Sequence, residues 1–373
     1  MTNVGIVTVW RSLLLTNYGS FFQHCALRYV LKSFGCTCFR CETESICGEL
    51  FLYCLPLRFL RIQVLHWLGL RNAPKWQMLQ LLFWRLRFYR SYRRLIGKLF
   101  EPQTNSDVVV YLAGGDTVWG TAERTFFLAD RVQTNRCVSY AASAIWDEVM
   151  DNPDWQKIVH ETLPRFSSLS VREKVGADML RTILGRDVNV VVDPVLLLEK
   201  SELLQFAKQG KIFNKDTILY YSVNAATEDE LNMVAVGDCA KLMGCCISVV
   251  GIQGAQFLIP KHLCARPAPE DFLAMVRDSA FVITQSFHGI VFSILLNRPF
   301  VFVRQSGPSK GDENKRQVEL LTRLGLLDRM LDARPTSTDL KKILGRMIDW
   351  KLVNMQLSEE RERCRAWLLN AVI

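Results

Sequence analysis

The chain has 373 residues, of which 49% are hydrophobic and 22% charged. This length exceeds what one small core needs and suits two domains. No run of about 18 apolar residues is present, which excludes a membrane-spanning helix from the reading. The first ten residues form a strand-like apolar run without the basic start and long apolar stretch of an export signal, so a cytoplasmic protein is expected.

The net charge of +9 is unevenly placed. Ten of the 46 Lys and Arg residues, and none of the 37 Asp and Glu, lie within residues 50–100. The rest of the chain is close to neutral. Twelve cysteines include a crowded group, Cys36, Cys38, Cys41, Cys47 and Cys54. Only Cys38 and Cys41 have a zinc half-site spacing, and no second half-site faces them. Reduced, packed thiols and no metal are expected.

Apolar runs of strand length alternate with longer periodic segments, the pattern of an α/β fold with parallel sheets. In the first half, strands are predicted at 5–10, 36–42, 108–113 and 137–142, and helices at 20–34, 76–98 and 121–130. In the second half, strands are predicted at 169–171, 188–192, 218–223, 247–252, 281–284 and 300–303. Helices follow at 174–184, 228–242, 269–278, 288–296, 314–324 and 338–347, with a long terminal helix over 349–373. Two Rossmann-like domains facing across a cleft fit this order. The first is expected over 1–165, with a basic aromatic helical insertion at about 50–100. The second is expected over 166–348, ahead of the C-terminal helix. The boundary is placed near 164–168.

Open α/β sheets bind ligands at the carboxyl ends of their strands, which directs attention to five loops. The first is Asn17-Tyr18-Gly19-Ser20, opening a helix that carries Gln23. A helix N-terminus behind a glycine can cradle an anion, or can be an ordinary capped start. The second contains Gly115, Asp116 and Trp119. The carboxylate can orient a sugar hydroxyl or cap a turn, and the indole can stack on a sugar or pack. The third is Ser170-Val171-Arg172-Glu173, whose guanidinium offers a planar fork for carboxylate or phosphate, or pairs with its neighbour. The fourth, Asp193-Pro194-Val195-Leu196, reads foremost as a strand end with a capping carboxylate. The fifth, Ser286-Phe287-His288-Gly289, puts a histidine between a strand and a helix, where it can move protons near neutral pH.

These loops, taken in order, resemble the polysaccharide pyruvyl transferase family. Its pattern has an N-Y-G-S loop followed by a helical Gln, a G-S-D-x-x-W loop, a Y-A-A-S strand end, an S-x-R-E segment, a D-P-x-L-L segment and an S-F-H-G loop. The chain matches with Asn17 to Ser20 and Gln23, Gly115-Asp116 with Trp119, Tyr140-Ala141-Ala142-Ser143, Ser170 to Glu173, Asp193 to Leu197, and Ser286 to Gly289. Asn314-Lys315-Arg316 with Leu320-Leu321 and Leu324-Gly325-Leu326 resembles the family's tail. Gly115 stands where Ser is usual, Thr117 where Gln is common, and Lys315 where Ser is frequent. Ser286 takes a place that some members fill with Arg, leaving Arg316 or Lys315 as the alternative cation.

The resemblance implies a GT-B-like fold and transfer of a pyruvyl group from phosphoenolpyruvate onto two neighbouring hydroxyls of a sugar, forming a ketal. It implies no cofactor and no metal. His288 is then the expected general acid. Arg172, the Asn17 to Ser20 helix start and Arg316 are expected to hold the donor's anionic groups. Asp116 and Trp119 are expected to align the acceptor, with Gln23, Ser143, Ser286 and Gly289 completing the site. The rivals are a glycosyltransferase of the same architecture using a nucleotide sugar, and a non-catalytic scaffold in polysaccharide assembly.

The insertion carries a separate expectation. Leu79, Leu82, Leu86 and Tyr89 recur at helical spacing, and Arg87, Arg90 and Arg94 recur on a neighbouring face beside Arg93. A basic amphipathic helix suits an anionic membrane surface, which places the protein on the inner face of the cell membrane, near a lipid-linked acceptor. The bland alternative is a helix that packs its aromatics on the first domain. No nucleic-acid motif accompanies the charge.

Overall fold

The computed structural model describes residues 2–8, 17–41, 83–84, 86–88, 90–91, 94–95, 108–225, 227–252, 255, 258–305 and 314–373. The first sheet holds β1 (Asn3–Val7), β2 (Thr37–Arg40), β3 (Val110–Gly114) and β4 (Arg136–Tyr140), in the order β2-β1-β3-β4 and all parallel. All five residues of β3 are buried. Such a continuous apolar run is what a parallel strand covered on both faces requires.

The short strands β5 (Ser170–Val171) and β6 (Asn189–Val190) pair with each other in parallel. Bridges from Val138 to Ser168 and from Ala142 to Val171 attach them to the edge of β4. Ser139 N–H donates to the Ser168 carbonyl at 3.0 Å and Arg172 N–H to the Ala142 carbonyl at 3.2 Å. The domain boundary expected near 164–168 therefore falls inside the first half. Leu169, Val171, Ala177, Leu180 and Val188 share one apolar cluster with Val7, Tyr111 and Trp119. The chain passes to the second half between β6 and the next strand, β7.

That second half is a five-stranded parallel sheet in the order β11-β10-β9-β7-β8. Its strands are β7 (Thr217–Val223), β8 (Cys246–Ile252), β9 (Phe281–Thr284), β10 (Phe300–Val303) and β11 (Met330–Leu331). The halves share a core. Helix α1 (Tyr18–Ser33) stacks Tyr18 on Phe272, with ring centroids 4.0 Å apart, and sets Phe22 edge-on to Phe292.

Two helical expectations change, and two further helices appear. Residues 121–130 are a series of turns, with Leu128 at φ 52. Side-chain bonds to main-chain carbonyls fix this segment: the Trp119 indole donates to the Phe126 carbonyl and the Trp155 indole to that of Trp119. The helix expected over 228–242 breaks at Asn232, φ 48, whose amide donates to the Pro335 carbonyl. Two unexpected helices, α2 (Trp146–Met150) and α3 (Pro153–Thr162), follow β4. Asn152 caps α3, and Pro153 opens it with no N–H to lose.

The remaining helices are α4 (Lys174–Leu184), α5 (Lys200–Leu204), α6 (Glu228–Leu231), α7 (Met233–Leu242), α8 (Pro269–Asp278), α9 (Phe287–Leu295), α10 (Lys315–Arg323), α11 (Ser337–Leu344) and α12 (Trp350–Val372). The long α12 returns to the first half. Arg361 and Arg365 donate to the carbonyls of Leu196 and Leu197, and Arg136 reaches the Ile373 carbonyl. Among the described residues no helix is long and apolar enough to cross a membrane.

Of the insertion, a few helical residues are described. Trp84, Phe88 and Ser91 are buried, and Leu86 is half-buried. Trp84 donates its indole N–H to the Pro267 carbonyl at 2.8 Å, and Phe88 meets Tyr18 and Phe21. Among the described residues the buried face runs through 84, 88 and 91, where aromatics pack on the first domain as the bland alternative has it. Leu79, Leu82, Tyr89 and Arg93 lie outside the described residues. Arg87 and Arg94 are exposed and pair with Asp271 and Glu270 on the first turn of α8. Arg90 is exposed.

Candidate active site

The loops at the carboxyl ends of the strands meet where the two halves touch, and Arg172 sits at the centre. Its side chain is 4% exposed. Nε donates to Glu173 at 2.7 Å, Nη1 to Asp193 at 3.0 Å, and Nη2 to both Asp116 and Ser143 at 2.8 Å. Phe287, from the other half, covers the guanidinium at 4.0 Å from its ring centroid. This corrects the expectation that Arg172 offers a free fork to the donor. Its fork is occupied by three carboxylates, because an isolated buried charge must be compensated within the protein.

Each carboxylate has further partners. Glu173 accepts from the Ser143 hydroxyl and the Trp146 indole. Asp193 accepts from the Gln23 amide at 2.7 Å and from the Val195 N–H at 3.0 Å. Asp116 accepts from Arg316 Nη1 at 2.8 Å on the same oxygen that Arg172 holds. The Gln23 carbonyl oxygen accepts the Asp116 N–H, so one amide ties two of the loops together. Burial alone would raise the pKa of Asp116, but Arg316 and Arg172 outweigh it and hold the carboxyl well below the usual carboxylate range. Burial likewise opposes ionisation of Asp193, while His288 and Arg172 bring its pKa below the ordinary value.

His288 arrives from the second half on the first turn of α9 and is 3% exposed. Its Nε2 lies 3.5 Å from Asp193 Oδ2, long for a hydrogen bond and close for a charge pair. The ring rests on Gly19. A Cβ built on Gly19 would stand 2.1 Å from Nδ1, so any larger residue here would force the His288 ring to shift. Gly115 has φ 106, which suits glycine, and sits against Gln23. Gly289 lets α9 approach Thr284, and the Ser286 N–H donates to the Thr284 hydroxyl. Asn17 caps α1 by accepting from the Ser20 N–H at 3.3 Å.

Two expected ligand contacts are packing instead. Tyr18 is buried, its ring on Phe272 and its hydroxyl on the Pro267 carbonyl. Trp119 is fully buried and stacks on Phe127. Gln23, Asp116, Ser143, Arg172, His288 and Arg316 do converge. Asp193 and Glu173 are the residues that the sequence reading left outside the expected site. Asp193 does cap the turn as expected, and its other oxygen faces Arg172, Gln23 and His288. Its place after an apolar run, next to Pro194, was the available signal.

A small recess, open to solvent, adjoins this network, lined by Arg172, Glu173, Asp193, Phe287, Arg316 and Arg323 among others. Arg316 Nε is buried with no hydrogen-bond partner among the described residues. Among the described residues no cluster of His, Cys, Asp and Glu is arranged to hold a metal ion.

This is a two-domain α/β enzyme fold, GT-B-like, with an ionic site at the junction of its halves. The UDP-GlcNAc 2-epimerase of Methanocaldococcus jannaschii is similar in structure, with TM-score 0.55 and 13% identity over 98% of this chain and 100% of that one. A second structure of that enzyme, in complex with UDP-GlcNAc and UDP, gives TM-score 0.51, 12% identity, and coverage of 98% and 100%. The S. aureus MnaA-UDP co-structure gives TM-score 0.50, 14% identity, and coverage of 97% and 94%. No curated protein matches the sequence. The sequence model of the polysaccharide pyruvyl transferases matches residues 63–307. The chain belongs to the polysaccharide pyruvyl transferase family and is a transferase.

Proposed function

We propose that this chain moves the pyruvyl group of phosphoenolpyruvate onto two neighbouring hydroxyls of a sugar in a polysaccharide or lipid-linked oligosaccharide. The products are a cyclic pyruvate ketal and inorganic phosphate. In this reaction the enol CH2 gains a proton and becomes a methyl group. Two C–O bonds form at the central carbon, and its bond to the phosphate oxygen breaks. One hydroxyl proton balances the proton gained by carbon, and the other leaves on phosphate.

The observation that carries this reading is the meeting of His288 with Asp193, beside Arg316 and Arg172, at the junction of the halves in a chain of this family. His288 is the general acid for the enol carbon, and Asp193 holds its imidazole. Arg316, whose Nε is unpartnered, is the cation for the donor. Arg172 acts through the carboxylates it organises. Exclusion of water by the closed halves protects the cationic centre from hydrolysis. The scheme uses no metal and no cofactor.

Incubation with phosphoenolpyruvate and a panel of free and lipid-linked sugars, read by phosphate release, tests the reading. His288→Ala should lower the rate by about 10² or more with the fold intact. Wild-type turnover in that variant removes His288 from the role. Protection against unfolding by a nucleotide sugar, with no phosphate released from phosphoenolpyruvate, replaces the reading with a glycosyltransferase.

A further inference from the structure

The site is already rich in anions. Two guanidinium groups, Arg172 and Arg316, face three carboxylates, Asp116, Glu173 and Asp193. A donor with one carboxylate and one phosphate adds more than two negative charges near neutral pH. Placed beside both guanidinium groups it meets the repulsion of the resident carboxylates, which falls if one of them leaves.

The three are not equally free to go. Asp193 is fully buried and is held by Gln23 and the Val195 N–H as well as by Arg172. Glu173 is 3% exposed and is held by Ser143 and Trp146. The Asp116 side chain is 17% exposed, and the hydrogen bonds that it accepts come from the two guanidinium groups, both on Oδ1. It stands between Gly115 at φ 106 and Thr117 at φ 51, the latter a conformation that side chains other than glycine seldom adopt.

We infer that Asp116 is a built-in stand-in for the donor's anion: phosphoenolpyruvate displaces it from Arg316 and from Arg172 Nη2, and the released carboxylate becomes the base for an acceptor hydroxyl. The inference rests on the pyruvyl transfer reading. Asp116 takes the hydroxyl proton as the sugar oxygen bonds to the central carbon, and passes it to the departing phosphate. Donor binding thereby switches on the acceptor's base. While paired, Asp116 is too weak a base for this task, because Arg316 and Arg172 outweigh the opposing effect of burial. Separation from Arg316 restores its basicity.

Titration calorimetry with phosphoenolpyruvate and a phosphate-release assay test this on Asp116→Asn, which keeps the side chain's size. The expected result is a split: donor affinity rises about tenfold while turnover falls about 10² or more. Glu319→Gln is the control for charge acting through space. It lines the same recess, and its carboxylate accepts the Lys174 N–H. An equal affinity gain in both variants, or unchanged or weaker donor binding by Asp116→Asn, overturns the exchange. Wild-type turnover in Asp116→Asn overturns the role as base. If the wild-type protein binds no phosphoenolpyruvate, the donor assignment itself fails, and the exchange with it.

Discussion

Two groups of arginines in this protein show how far environment decides what a guanidinium does. Arg172 is buried among three carboxylates and under Phe287. Arg87 and Arg94, on the insertion, are 55% and 59% exposed and each meets one acidic residue of α8. Removing one partner from a buried network strands the opposite charges. Breaking an exposed pair merely returns both groups to water. The side chain is the same in both places, and its loss should cost several-fold more stability in the buried one.

Arg172→Met sharpens the contrast most. It leaves Asp193 and Glu173 buried without their cation and should destabilise the fold by about 3–5 kcal/mol in a denaturant titration. A loss under about 1 kcal/mol, the range of an exposed pair, would break the comparison. Gly19→Ala should come next. Its methyl group meets the His288 ring across the junction, and the overpacking should cost about 1–3 kcal/mol by the same measurement. Unchanged stability would show that the halves are not held together at this contact. Arg87→Ala and Arg94→Ala should each change stability by less than about 1 kcal/mol.

The insertion arginines have another test. We propose that they meet an anionic membrane surface, where each basic residue contributes about 1 kcal/mol. Changing Arg87, Arg90, Arg93 and Arg94 together to Glu should abolish co-sedimentation with anionic vesicles at low salt. Binding that survives the four changes, or a wild-type protein that does not bind, removes the membrane contact and leaves the transfer reaction untouched.

The sequence by itself determined the class of fold and singled out loops that meet at the junction of the halves. Strand runs such as Phe281–Thr284 and Phe300–Val303, and helices such as Lys174–Leu184 and Pro269–Asp278, fall where the pattern put them. Hydrophobic period and local start signals are properties of neighbouring residues, so they can be read from the chain. Asp116, Arg172 and His288 were legible as polar groups in loops at strand ends, whereas Gln23 and Arg316, both on helices, entered through the family motifs. Their partners were not. Asp193 reads locally as a cap, and its second oxygen finds Gln23, 170 residues away, only in the folded chain. Trp119 and Tyr18 look like ligand contacts in a motif, yet each is sealed by aromatic rings, among them Phe166 and Phe272, that sequence distance conceals. The domain boundary was misplaced because the bridges from β4 to β5 join residues about 30 apart, and such pairing leaves no local periodicity. Tertiary structure decided which charges face each other, since that depends on long-range closure, and in this protein those facing charges make the site.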